Sequence, residues 1–433
     1  MQQQTTKKSN VNAIFIIGML YFVFGFVTWL NGTLIPFLKL ACQLETDIEA
    51  FFVTFAFYMA YFFLAIPSSQ ILKRTGFKNG MALGLLVMAV GSLIFIPAAN
   101  SRNFLLFLIG LFVQGAGLAL LQTAVNPYIS IIGPIESAAK RISIMGICNK
   151  VAGILSPIIL GALVLKNATA IETQIGTATD EAQKNVLLNE LASRVITPYI
   201  IITVVLVLVA FLLSRSKLPD IEEAEEHTEE LGTSAKTSVF QFPHLLLGVL
   251  CLFLYVGAEV MAGDAIGTYG KAMGMKLDQT KYFTTFTLIA MLVGYVVGIF
   301  TIPKIISQQK ALSISAILGL IFTIGVFVSS GYMSITFIAL LGLANALMWP
   351  AIFPLAIDGL GKFTKIGSAL LIMGIAGGAL LPLLYGTLKD KAGISNELSF
   401  LICMLPCYAY ILFYSVKGYM AGKKVKAASP SFA

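Results

Sequence analysis

The sequence predicts an all-α membrane protein with 12 transmembrane helices in two six-helix bundles. Three observations predict it. The chain is 58% hydrophobic and only 12% charged over 433 residues, whereas a soluble globular protein carries about 25% charged residues. Its mean hydropathy is +0.88, too high for a fold that must cover its core with polar surface. Twelve apolar runs each approach the length of about 20 residues that a bilayer span needs. A polar, acidic stretch then divides these runs into two sets of six.

The runs lie near 12–38, 50–72, 80–99, 103–131, 142–165 and 195–214, then 244–269, 282–303, 311–330, 334–357, 367–387 and 398–416. The first is too long for a signal-peptide core and lacks a small-residue cleavage site, so it is read as a retained span. The segment at 167–194 predicts a short surface helix outside the bilayer. The stretch 215–243 carries Glu222, Glu223, Glu225, Glu226, Glu229 and Glu230 and few apolar residues, which is the composition of a solvated linker. The expected organisation is an N-terminal bundle over 1–214, a cytoplasmic linker over 215–243 and a C-terminal bundle over 244–433.

Basic residues set the expected orientation. With the N-terminus in the cytoplasm, 18 of the 29 Lys and Arg fall in cytoplasmic segments, 10 fall in outer segments, and Lys150 falls within a span. That excess predicts both termini inside, and an even number of spans requires the two termini to share a side. The net charge of +8 is spread singly and in pairs between apolar runs. This argues against a nucleic-acid surface. The five cysteines, Cys42, Cys148, Cys251, Cys403 and Cys407, form no metal-type CxxC pair and read as small apolar residues.

The two halves repeat. Gln122 in the fourth span lies five residues before Pro127, and Asn345 in the tenth lies five before Pro350. The fifth span then carries "IMGI" at Ile144–Ile147 and the eleventh carries it at Ile372–Ile375. In each half a glycine stands twelve residues before the Met, Gly133 and Gly361. Parallel six-span repeats, with substrate bound near the midplane between them, are the plan of the major facilitator superfamily.

Charged groups cost about 2.5–3.5 kcal/mol at the bilayer centre even on the lenient insertion scale, so those inside spans are the functional candidates. Of 21 acidic residues only Glu259 and Asp264 fall clearly within a span, and of 29 basic residues only Lys150 does. Lys150 lies about 13 Å along the fifth span at 1.5 Å per residue. Aligning the "IMGI" segments sets Asn149 and Lys150 opposite Gly377 and Gly378, small residues that let helices approach closely. Glu259 and Asp264 lie in the seventh span, which Gly257, Gly263, Gly267 and Gly270 interrupt; glycines there permit a broken helix lining a cavity. Glu259 suits proton carriage or a hard oxygen ligand for a cation. Asp264 lies nearer the outer end. Asn31 follows Trp29 in the first span, Gln122 and Asn126 share a helical face at a spacing of four, and so do Asn345 and Trp349. Amides beside an indole suit the hydroxyls and apolar face of a sugar ring. Each such amide is also a candidate for an interhelical hydrogen bond.

Four segments carry a family resemblance: "FGFVTWLNGTLIPFLK" from Phe24, "GAGLALLQTAVNPYISIIGP" from Gly115, "ICNKVAGILSP" from Ile147 and "YVGAE" from Tyr255. Across nearly its whole length the chain resembles the fucose–galactose symporter family of the major facilitator superfamily, and within it the bacterial glucose/galactose transporter branch. The resemblance implies alternating access and cation-driven monosaccharide uptake across the inner membrane. It also matches Asn149 to the family's sugar-binding asparagine of the fifth span. Fucose-transporting members carry an acid where this chain has Gly32 and a glutamate where it has Gln122. Between the second and third spans, Lys73, Arg74 and Gly76 stand where an Asp-Arg pair and a glycine are expected.

The expectation is therefore a multi-pass protein of the bacterial inner membrane, not an enzyme, that imports a hexose such as glucose or galactose with a coupling cation. Sodium is slightly favoured over a proton, because two titratable positions of the proton-coupled relatives are absent. Expected sugar contacts are Asn31, Gln122, Asn126, Asn149, Lys150, Asn345 and Trp349. Glu259 and Asp264 are the expected coupling residues, with any sodium near Glu259. Partners are the monosaccharide, the cation and the lipid bilayer; a monomer is expected, without a cofactor or a nucleic-acid partner. A facilitator or exporter of another solute on the same fold remains the alternative, and a non-transporting membrane sensor a remote one.

Overall fold

The computed structural model describes residues 2–131, 138–178, 180–216, 218 and 237–423. Gly133 and the glutamates at 222–230 lie outside these residues, as does most of the expected linker. Every regular element among the described residues is a helix. Hydrocarbon offers a backbone amide no water, so helices, which satisfy their own N–H and C=O groups, are the expected solution.

Eleven helical stretches are long and apolar enough to cross a membrane. One of them, Asp47–Ser101, has 55 residues. Straight, it would extend about 80 Å, more than twice the hydrocarbon thickness of about 30 Å. It bends at Gly76, whose φ of 72° and ψ of 171° only glycine adopts without strain. It thus supplies both the second and third spans, and the total is twelve. The degenerate Lys73, Arg74, Gly76 segment is that bend. Polar caps mark several span starts. Thr46 accepts the Glu49 N–H in a capping box, Ser307 accepts from Lys310, and Ser395 accepts from Leu398. Each such cap contributes about 0.5–2 kcal/mol.

Four expected spans are interrupted. The first is Gln2–Thr28 followed by Asn31–Ala41, and the seventh is Pro243–Gly263 followed by Ile266–Ala272. The tenth is Gly331–Asn345 followed by Met348–Ile357. The eleventh runs as Thr364–Met373, a tight turn at Gly374–Ala376 and Gly377–Asp390. The fourth (Phe104–Ile131), fifth (Ala138–Val164), sixth (Ile196–Arg215), eighth (Phe283–Thr301), ninth (Gln308–Val328) and twelfth (Asn396–Val416) are continuous. The segment at 167–194 forms two helices, Ala168–Thr177 and Glu181–Ser193, where one was expected. Gly361 adopts a φ of 52° at the loop before the eleventh span.

Lipid gives no hydrophobic drive for helices to associate, so close backbone approach matters more. At Gly377 an added Cβ would fall 1.8 Å from the Phe253 carbonyl oxygen, and at Gly378 it would fall 3.1 Å from the Tyr58 ring. The glycine pair of the repeat is therefore where the eleventh span packs on the seventh and the second. Outward faces are apolar: Val204, Leu208 and Phe211 of the sixth span are all more than half exposed, as lipid contact requires.

With twelve spans, both termini share one face. The opposite face is tied together by contacts between elements distant in sequence. Asp390, ending the eleventh span, accepts the N–H groups of Asp47 (2.8 Å) and Ile48 (3.0 Å) in the first turn of the second. Asp47 itself pairs with Lys39 and with Lys389. Thr169 and Asp278 exchange hydrogen bonds of 3.1 and 3.2 Å, and Lys281 donates to the Leu165 carbonyl at 2.8 Å. Just beneath, Trp29 sits at the break of the first span between two glycines. A Cβ at Gly153 would come within 2.5 Å of its indole, and one at Gly263 within 2.4 Å.

Candidate functional site

On the terminus side of the Trp29 closure lies a cavity of about 110 Å³, lined from both halves of the chain. Gln122 and Asn126 of the fourth span reach it, as do Asn149 and Lys150 of the fifth, Glu259 of the seventh and Trp349 of the tenth. Six of the nine residues singled out in the sequence therefore come together.

Most of the polar groups singled out at the cavity have a specific side-chain or backbone partner. Gln122 Nε2 donates to Tyr61 Oη at 3.0 Å, and Tyr21 Oη donates to Asn126 Oδ1 at 2.5 Å. Trp29 Nε1 donates to Asn149 Oδ1 at 3.4 Å, while Asn149 Nδ2 reaches the Tyr21 carbonyl at 3.5 Å. Lys150 Nζ donates to Glu259 Oε1 at 2.8 Å and lies 4.2 Å from the centroid of the Trp29 ring. This ion pair joins the fifth span to the seventh across the cavity. Both members are largely buried, so each needs the other: attraction in a low-dielectric site offsets a desolvation cost of several kcal/mol per ion. The indole face below adds a favourable cation–π term, about 2 kcal/mol where desolvated.

Three of the nine lie elsewhere. Asn345 is fully buried and accepts from Tyr408 Oη at 2.9 Å, an interhelical bond between the tenth and twelfth spans. Its spacing of four from Trp349 predicts a shared helical face, but the helix breaks between Asn345 and Met348. The break turns Trp349 into the cavity, where it stacks 6.0 Å from Phe353 and lies 6.5 Å from Tyr255. Asn31 is 1% exposed and does not line the cavity; neither atom of its amide has a hydrogen-bond partner. Asp264 is likewise 1% exposed and outside the lining. It marks the break of the seventh span, and Tyr58 Oη donates to its Oδ2 at 3.4 Å.

The tyrosine part of the wall went unrecognised in the sequence. Tyr21, Tyr58, Tyr61, Tyr255 and Tyr295 all line the cavity, together with Trp29 and Trp349. Their signal was present: a tyrosine deep in an apolar span needs a partner for its hydroxyl, so it marks a polar interior. Such a wall can hold a small polyhydroxylated ring. Amide and phenol groups both donate and accept, the charged pair can exchange its mutual bond for ligand hydroxyls, and aromatic faces cover C–H surface. Among the described residues, no group of three His, Cys, Asp or Glu could hold a metal ion.

Comparison with known proteins agrees with this architecture. The sequence profile of the Major Facilitator Superfamily matches residues 17–384. A protein named glucose/galactose transporter from Brucella abortus is 33% identical over 96% of this chain and 97% of its own length. The L-fucose-proton symporter of Escherichia coli is 28% identical over 92% of this chain and 90% of its own. Among solved structures, the transporter FucP in its outward conformation superposes with a TM-score of 0.75 at 27% identity, covering 94% of this chain and 98% of that one. A twelve-span helical fold, a cavity between its halves and these relatives lead to one conclusion: the chain is a multi-pass membrane protein of the Major Facilitator Superfamily, in its fucose–galactose symporter family.

Proposed function

We propose that the protein is a cation-coupled symporter that imports a hexose, glucose or galactose, across the bacterial inner membrane by alternating access, with both termini in the cytoplasm. The observation that carries this reading is the Lys150–Glu259 pair set among amides and aromatic rings in a cavity shared by both halves. Gln122, Asn126, Asn149, Lys150 and Trp349 contact the sugar, joined by Tyr21, Tyr61 and Tyr255. Asn31 and Asn345 stand apart from these contacts, because neither lines the cavity. The division into bundles over 1–214 and 244–433 follows the same scheme, with the two units rocking about the central site.

Coupling needs a group that takes up one positive charge on the outside and releases it inside. Glu259 and Asp264 are the carboxylates available, and they accept either a proton or a sodium ion. The non-titratable Gly32 and Gln122 favour sodium. The fucose relatives bear proton symport in their names. The chain's two tryptophans, Trp29 and Trp349, both line the cavity, so their emission reports on its contents. A titration of purified protein with glucose, galactose, N-acetylglucosamine and fucose, with and without sodium and at two pH values, tests the reading. Saturable changes with glucose or galactose support it, and no response to any hexose refutes it.

A further inference from the structure

Within the membrane, two carboxylates, Glu259 and Asp264, face a single ammonium, Lys150. Lys150 is committed to Glu259 at 2.8 Å. Asp264 forms no ion pair among the described residues, and its Oδ1 has no hydrogen-bond partner. Building on the symport reading, we infer that Asp264, rather than Glu259, carries the coupling cation, one positive charge per cycle, and that its neutralisation is the condition for closing the outer face.

The geometry behind this is the pairing of two helix breaks. The seventh span breaks at Asp264, and the first breaks at Trp29 and Leu30. The N–H of Gly32, in the first turn of helix Asn31–Ala41, reaches the Asp264 carboxylate. Beside it, Asn31 presents an unpartnered amide that is 1% exposed, and the Thr28 hydroxyl at the cavity wall is also unpartnered. Oxygens of Asp264 and Asn31 are hard donors of the kind that hold a monovalent cation; a proton on Oδ1 satisfies the same deficit. Tyr58 lines the cavity while its hydroxyl holds Asp264 Oδ2. It therefore stands between the carboxylate and the sugar. The charged groups near Asp264 are Glu259 and Lys150, with the Tyr58 hydroxyl in direct contact.

Position explains why neutralisation and closure are linked. Asp264 lies on the closed side, next to the Gly263 surface that receives Trp29. When the first and seventh spans part, water from outside reaches it. When they close, it becomes 1% exposed. Burying an ionised, uncompensated carboxylate is strongly unfavourable, so closure waits until a cation or proton arrives. Glu259 carries no such condition, because Lys150 compensates it in place.

Two measurements test the inference. Currents from proteoliposomes on a solid-supported membrane, calibrated against labelled hexose uptake, should give one charge per sugar in the wild type. In Asp264→Asn the ratio of sugar counterflow to gradient-driven accumulation should rise at least tenfold, and the current should vanish. A proton arm and a sodium arm, run separately, identify the cation. Two charges per sugar, or undiminished accumulation in Asp264→Asn, overturns the assignment. The second measurement needs no sugar. With the native cysteines replaced, Thr28→Cys should be labelled at least fivefold faster by an impermeant maleimide from the outer face when sodium is withdrawn at high pH. In the Asp264→Asn background that dependence should disappear; if it persists, Asp264 does not govern closure. Failure of the hexose reading shows instead as absent wild-type counterflow with the labelling dependence intact.

Discussion

Replacing Lys150 by Met keeps the bulk of the side chain but removes its charge. Glu259, bound to it at 2.8 Å, is then left without a counter-charge, and Asp264 has no ion-pair partner among the described residues. Breaking a buried ion pair by removing one partner destabilises by about 3–5 kcal/mol. Loss of the ammonium from 4.2 Å above the Trp29 ring adds about 0.5–2 kcal/mol. Glu259→Gln alone should cost a similar amount, since it strands the ammonium. The double variant removes both charges, so it should lose less than the two single losses combined, by about 1.5–3 kcal/mol. The assay is unfolding in mixed micelles followed by the emission of Trp29 and Trp349. Single variants whose costs add within about 0.5 kcal/mol would show that the two groups act independently. The pair could then not be the link between the fifth and seventh spans.

Three further outcomes follow from individual contacts. Gly153→Val places a side chain against the Trp29 indole, where even a Cβ would come within 2.5 Å; overpacking costs about 1–3 kcal/mol, and labelling of Thr28→Cys from the face opposite the termini should rise as closure fails. Asn345→Ala strands the Tyr408 hydroxyl, so unfolding stability should fall by about 1–3 kcal/mol while hexose KM changes less than about twofold. Burial pushes the Cys42 thiol, in the loop after the first span, up to about 11. With the other four cysteines replaced, its alkylation at pH 7.5 should be about two orders of magnitude slower than that of an ordinary thiol and should speed up continuously towards pH 11.

Most of the twelve spans were legible because hydropathy acts residue by residue, and a run of about 20 apolar residues has few alternatives. The charged residues at mid-depth were legible for the converse reason, since their cost makes them rare. What hydropathy does not encode is whether a span is one helix or two. The break after Asn345 changes which way that side chain faces, and a rule that places residues four apart on one face then gives the wrong neighbour. The same limit separated Glu259 from Asp264. Both are acids in one span, but only the helix break and the position of Lys150 show that one is paired and the other is not. The tyrosine wall was missed because each residue counts as apolar in a span, although its hydroxyl does not.

The most direct test is uptake of labelled glucose and galactose by proteoliposomes with an inward sodium gradient, an inward proton gradient, or neither imposed. Symport predicts accumulation above the external concentration under at least one gradient, equilibration without it, and collapse of the accumulated pool when an ionophore dissipates that gradient. Hexose entry that never exceeds the external concentration under either gradient, or no entry at all, would contradict cation-coupled import.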